Sequence, residues 1–217
     1  MIMEPNSVEV CDYLVELVNE KQLPMSRIDD AVRRILRLKF RLGLFDDPYG
    51  LAGNYEKFAC PEYVNSAYRA AVEGEVLLKN ENSILPLSKD TRILLVGPNA
   101  NSMRTLGGGW NYSWQGDQAE NPKYTGQYNT IYEALKSKFK NVEYLPVLNY
   151  ASHAHFETEE RGDFSKAVRA ARNADVIVAA IGENSYCETV GNINDISLSQ
   201  NQRDLVKELA RTGKPIV

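Results

Sequence analysis

Val176-Ile177-Val178-Ala179-Ala180-Ile181-Gly182 is the stretch that decides the fold: six apolar residues, β-branched at the start and ended by a glycine, read as a strand over residues 176–181. Ahead of it, Asp163 is placed to cap a helix with Ala167, Val168 and Ala171 on one side. Behind it, Ser199 and Gln202 open a helix through Leu205, Val206 and Leu209, which Gly213 ends; Pro215-Ile216-Val217 then starts another strand. The same alternation holds upstream. Residues 93–96 read as a buried strand ended by Gly97, Thr130 and Glu133 open a helix, and residues 142–147 read as a strand. The order βαβαβαβ predicts an α/β fold, a three-layer αβα sandwich around a mostly parallel sheet. Ligands of such sheets gather outside the carboxyl ends of the strands. Because the chain stops as a strand is starting, the sheet is expected to be incomplete and the chain to be a fragment.

The N-terminal third has a different texture. Ser26 and Asp29 give a helix-start signal, Ile28, Val32, Ile35 and Leu36 recur at helical spacing, and Gly43 offers a stop. Leu14, Leu17 and Val18 suggest a shorter helix before it. Arg33, Arg34, Arg37, Lys39 and Arg41 favour the helix dipole as a solvated face over an anion site. Residues 44–63 are rich in Gly, Pro, Asp and Asn without a sustained period, which marks a linker. From Pro61, a favourable first-turn residue, Val64, Ala67, Tyr68, Ala71, Val72 and Val76 trace one face of a long helix. The division expected is therefore 1–45, a linker at 46–60, and a second domain over 61–217.

Composition excludes several classes of function. With 217 residues, 43% hydrophobic and 25% charged, the chain can bury a sizeable core. A net charge of −4 supplies no basic field for nucleic acid. No run reaches the roughly 18 apolar residues of a membrane span, and residues 1–12 lack the pattern of a signal peptide. Cys11, Cys60 and Cys187 are too few and too widely spaced for a disulfide framework or a zinc site. His153 and His155 have no ligand cluster beside them and read as surface residues of a polar loop, so neither metal nor cofactor is called for.

Two loops leave strands at the carboxyl edge. The first, over residues 98–128, is far longer than the usual connection in a compact α/β unit, which marks it as functional. It carries Gly107-Gly108-Gly109-Trp110-Asn111-Tyr112-Ser113-Trp114-Gln115-Gly116. Neither nucleotide-binding glycine pattern is present. Glycines that let backbone approach a ligand, with Trp110 and Trp114 offering flat apolar faces and N–H donors, suit a sugar ring better. Packing of Trp110 in the core is the alternative. The second loop, Gly182-Glu183-Asn184-Ser185-Tyr186-Cys187-Glu188-Thr189, holds two carboxylates. Glycoside cleavage needs one carboxylic acid to protonate the departing oxygen and a second carboxylate across the anomeric carbon. Either Glu183 or Glu188 fits the first role, and at least one of them is expected to bond loop backbone or pair with a base. Cys187 has no histidine near it in sequence and reads as an inert thiol.

These residues resemble a known family. Arg27-Ile28-Asp29-Asp30-Ala31-Val32-Arg33-Arg34-Ile35-Leu36 and Lys39-Phe40-Arg41-Leu42-Gly43-Leu44-Phe45 are similar to the end of the catalytic (β/α)8 barrel of glycoside hydrolase family 3. Leu77-Leu78-Lys79-Asn80 and Ile84-Leu85-Pro86-Leu87 look like the start of that family's second domain, and the two loops look like its substrate-facing loops in the β-glucosidase and exo-β-glucanase branch. The resemblance implies a retaining, two-step hydrolysis of terminal β-linked glucosides, with β-xylosides as the alternative substrate. It places the acid/base at Glu188 and a sugar-clamping aromatic at Trp114, with Trp110 and Glu183 in the same substrate-facing loops. The family's nucleophile motif, Ser-Asp followed by an aromatic, has no match here. The partners implied are a β-glucoside or oligosaccharide and the remainder of the barrel, in a periplasmic or secreted setting. The rival reading is a non-catalytic α/β sugar-binding or interaction module.

Overall fold

The computed structural model describes residues 8–49, 55–121, 126, 128–151 and 155–217. They form two compact units, Met1–Leu78 and Lys79–Val217.

Among its described residues the first unit holds three helices, α1 (Glu9–Asn19), α2 (Met25–Arg41) and α3 (Pro61–Gly74). None of them has a buried residue. The apolar face of α2, including Val32, Ile35 and Phe40, is exposed. The helix starts one residue before Ser26, with Pro24 at the N-cap position and no side-chain cap, so the start signal at Ser26 and Asp29 is not used. Asp29 and Asp30 instead face Arg33 and Arg34 one turn on. Its C-terminus follows expectation. Gly43 takes φ 69°, and the bonds Gly43 N–H to Phe40 O and Leu44 N–H to Lys39 O close a Schellman turn. Pro61 stands in the first turn of α3.

The second unit is built on β1 (Arg92–Val96), β2 (Asn141–Tyr144) and β5 (Val176–Ala179), paired in parallel in the order β2-β1-β5. Ile216 extends the ladder in parallel beside Ile177. Between β2 and β5 the chain adds an antiparallel hairpin, β3 (Leu148–Tyr150) with β4 (Glu159–Arg161). The helices are α4 (Met103–Gly107), α5 (Ile131–Lys138), α6 (Phe164–Ala171) and α7 (Gln200–Ala210). No closed barrel is present among the described residues.

Register shows why the sheet is covered on both sides. Leu94 pairs with Ile177 and Val96 with Ala179, so these four share a face. Leu94, Val96 and Ile177 are packed with Phe164, Ala167 and Ala171 of α6 and Leu205 and Leu209 of α7, all buried. Ile93, Leu95 and Val176 point the other way and are buried too. Tyr144 pairs with Leu95 and therefore lies on that second face, where Tyr132 of α5 stacks on it at 5.0 Å. The result is a three-layer sandwich, α5 on one side and α6 with α7 on the other. Side-chain oxygens of Thr130, Asp163 and Ser199 cap α5, α6 and α7. At α5 the capping box is complete, Glu133 reaching back to the Thr130 N–H.

Two strands are shorter than the sequence predicts. β2 ends at Tyr144: Leu145 N–H still donates to Leu95 O, but past Pro146 the next donor, Val147 N–H, turns back to Leu145 O. β5 ends at Ala179, because Ile181 N–H turns back to Ala179 O and leads the chain off the sheet. The topology also fixes where a ligand would collect. β1 is followed by a helix on one face and β5 by a helix on the other, so the connections diverge between these adjacent strands, which is the switch point of an open α/β sheet.

Candidate active site

Both loops singled out in the sequence leave the sheet at this switch point. They start side by side: Asn99 N–H donates to Ala180 O and Ala180 N–H to Val96 O. The first loop forms α4, capped by Ser102, and then folds back. Ser102 Oγ and Arg104 N–H both donate to Glu120 Oε1 at 2.9 Å. Ser113 Oγ donates to Asp117 Oδ1 at 2.6 Å, which lowers the Asp117 pKa. Between them Trp110 N–H donates to Trp114 O at 2.8 Å, a tight turn that sets the two indoles next to each other, centroids 6.3 Å apart. Trp110 is 70% exposed and Trp114 49%, so the core-packing alternative for Trp110 is not what the fold adopts.

The second loop is held from behind by a residue whose role the sequence concealed. Gln202, only 2% exposed, accepts Gly182 N–H on Oε1 at 2.9 Å and donates from Nε2 to Gly182 O at 2.8 Å. The same Nε2 lies 2.8 Å from Glu159 Oε1 and 3.2 Å from the Tyr150 hydroxyl. Tyr150 itself donates to Gly182 O at 2.7 Å, and burial pushes its hydroxyl up to about 12. Further along, Tyr186 stacks on Phe156 at 4.5 Å and donates to Glu183 Oε2 at 2.8 Å. This bond to the Glu183 carboxylate, ahead of burial, raises the Tyr186 pKa. Glu183 is thus the paired carboxylate of the two, its partner a tyrosine hydroxyl and not the loop backbone or base expected.

Glu188 opens a short 3-10 turn, Glu188–Gly191, and is exposed. Its backbone has φ 55°; Trp110 and Tyr112 across the rim have φ 58° and 60°. Non-glycine residues in this left-handed region are uncommon and cluster where the surrounding structure over-determines them. Cys187, just before, donates from Sγ to Trp114 O at 2.9 Å. Burial, and then the neighbouring Glu188 charge, raise its pKa, which fits an inert thiol.

The two loops are tied together at several points. Gln115 Nε2 donates to Cys187 O at 3.1 Å and its Oε1 accepts Cys187 N–H at 2.9 Å. Ser185 Oγ donates to Gln115 O at 2.8 Å and accepts from Arg104 Nε at 2.7 Å. Gly109 is needed for the approach: a Cβ there would lie 2.5 Å from Tyr186 O and 2.9 Å from the Cys187 Cβ. Trp110, Trp114, Glu183 and Glu188 therefore share one rim of the sheet. A polar cleft of about 930 Å³ opens beside them, lined by Asn101, Arg104, Gln118, Tyr150 and Asn184, without the tryptophans or Glu188. His155 lies at this cleft against Phe156, with Glu157 3.7 Å from its Nδ1. His153 lies outside the described residues.

Residues 75–217 match the model of the Glycosyl hydrolase family 3 C-terminal domain. Over 224 residues the chain is 36% identical to the "Lysosomal beta glucosidase" of Dictyostelium discoideum, all of this chain against 27% of that protein. It is 31% identical to a "Beta-xylosidase" of Formosa agariphila, over 97% of this chain and 29% of that one. Among solved structures, a β-glucosidase from Listeria innocua in complex with glucose superposes with a TM-score of 0.74 at 34% identity, covering 94% of this chain and 26% of the other. The chain thus spans between about a quarter and three-tenths of the length of these proteins. On the match over residues 75–217 and the shared fold, the chain belongs to glycosyl hydrolase family 3.

Proposed function

We propose that this chain is the acid/base-bearing part of a retaining β-glucosidase. In this reading residues 1–45 are the last portion of a catalytic barrel, 46–60 a linker, and 61–217 the second domain. A carboxylate on the barrel attacks the anomeric carbon, and Glu188 protonates the departing oxygen. In the second step Glu188, left ionised by the first, takes a proton from water, whose oxygen attacks the anomeric carbon and releases the barrel carboxylate. The two carboxyls must stand roughly 5 Å apart in a retaining enzyme, so the Glu188 turn has to face the portion that supplies the nucleophile. Trp114 and Trp110 stack on the sugar beyond the scissile bond, and Glu183, held by Tyr186, orients the loop and the nearest hydroxyls.

The observation that carries this reading is the exposed Glu188 on one rim with the tryptophan pair, at the switch point of the sheet. The likeness to a β-glucosidase complexed with glucose supports β-glucosides as substrate. The experiment is Glu188→Ala in the full-length enzyme. Poor leaving groups should lose activity most, and azide should restore turnover of activated aryl β-glucosides. Equal loss on all substrates without azide rescue would assign the acid/base elsewhere, and faster cleavage of aryl β-xylosides would move the substrate to xylose.

A further inference from the structure

Trp114 and Glu188 belong to segments more than seventy residues apart in sequence, so something must fix their separation. We infer that Gln115 is the positioning residue that does so, an inference that rests on Glu188 being the acid/base. Its primary amide closes a two-bond ring with the backbone of Cys187, accepting the N–H at 2.9 Å and donating to the carbonyl at 3.1 Å. In this way one side chain imitates the peptide group of a neighbouring strand, with both bonds in the favourable range. Gln115 directly follows Trp114 and Cys187 directly precedes Glu188, so the ring couples the aromatic platform to the carboxylate through one residue on either side.

Backbone geometry makes the coupling matter. Cys187 is extended at φ −154° and ψ 160°, and the next residue swings to φ 55°. The direction of the Glu188 side chain is therefore set by the plane of the peptide that Gln115 grips. A left-handed glutamate relaxes toward ordinary backbone if its neighbour is released. The Cys187 Sγ bond to Trp114 O and the Ser185 Oγ bond to Gln115 O brace the same contact. Gly109 packs against Tyr186 O and the Cys187 Cβ with no space for a side chain, which keeps the two loops in contact beside the ring.

The test is Gln115→Ala in the full-length enzyme, read as kcat/KM, which reports the first, glycosylation step. Alkyl β-glucosides, which need the proton, should lose about ten- to a hundredfold, the scale of a misplaced catalytic group. Dinitrophenyl β-glucoside, which leaves unassisted, should lose less than about threefold by the same argument. The basic limb of the pH profile should move with the variant. Gln115→Glu keeps an acceptor for Cys187 N–H but sets a carboxylate oxygen against Cys187 O, so it should fall with Gln115→Ala on alkyl glucosides, while retained turnover of dinitrophenyl β-glucoside shows that both variants are folded. Combined with Glu188→Gln, Gln115→Ala should add almost nothing on alkyl glucosides. Equal loss on both substrate classes, or full additivity with Glu188→Gln, overturns the positioning role while leaving the acid/base assignment intact. A Glu188→Gln enzyme without leaving-group dependence overturns that assignment and the inference with it.

Discussion

Replacing Gln202 by Leu tests how the second loop is anchored. Leucine nearly conserves volume at this 2%-exposed site but removes both hydrogen bonds to Gly182. The groups left behind are not equal. Gly182 O keeps the Tyr150 hydroxyl at 2.7 Å, and Glu159 keeps Ser199 at 2.7 Å and Asn201 at 3.0 Å. Gly182 N–H loses the acceptor it has. One orphaned interior donor costs about 1–3 kcal/mol, and a middle value of about 2 kcal/mol corresponds to roughly thirtyfold in the opening equilibrium of the loop. Hydrogen-exchange mass spectrometry reads this directly: amides of residues 180–186 should exchange about thirtyfold faster, while those of β1 keep their rate. Protection within about threefold of the parent, or an equal rise in β1, would refute local anchoring by Gln202.

Gly109→Ala should part the two loops, since its Cβ has no space against Tyr186 O; overpacking of this kind costs about 1–3 kcal/mol, visible as a lower denaturation midpoint. Asp175 accepts the Arg92 side chain at 2.6 Å and its backbone N–H at 2.9 Å, and these bonds lower its pKa from 3.8 to about 2. A depressed carboxylate stabilises the fold above its unfolded value and loses that contribution as pH falls through the folded one. The stability gap between the parent and Asp175→Asn should therefore be full at neutral pH and shrink between about pH 4 and 2; a pH-independent gap would contradict it.

The parts of the fold legible in sequence are those set by local chemistry. Thr130 with Glu133, Asp163 and Gly43 act through neighbours within a few residues, and each takes the place its spacing predicts. The hairpin of β3 and β4 was not legible. Its second strand, Glu159-Glu160-Arg161, has no apolar alternation and exists because Leu148, Asn149 and Tyr150 pair with it. α4, five residues among glycines, is too short to show a period. Ser199 and Gln202 read as a reciprocal cap, yet only Ser199 caps; the glutamine amide points inward to Gly182, a partner twenty residues away. At the site, strand order was enough to bring the tryptophan turn and the Glu188 turn to one edge. The ties from Arg104 and Gln115 to residues 185 and 187 were hidden, because arginine and glutamine in polar loops carry no spacing signal.

The grip on Gly182 at one end and on Cys187 at the other makes the segment between them a ruler of fixed span. Lengthening or shortening it by one residue would rotate Glu188 to a new bearing, whereas residues 189–197 carry the short-range bonds Asn192 N–H to Thr189 O and Ser197 N–H to Asp195 Oδ1. Variation in this loop can accordingly collect beyond residue 188 while the ruler keeps its length.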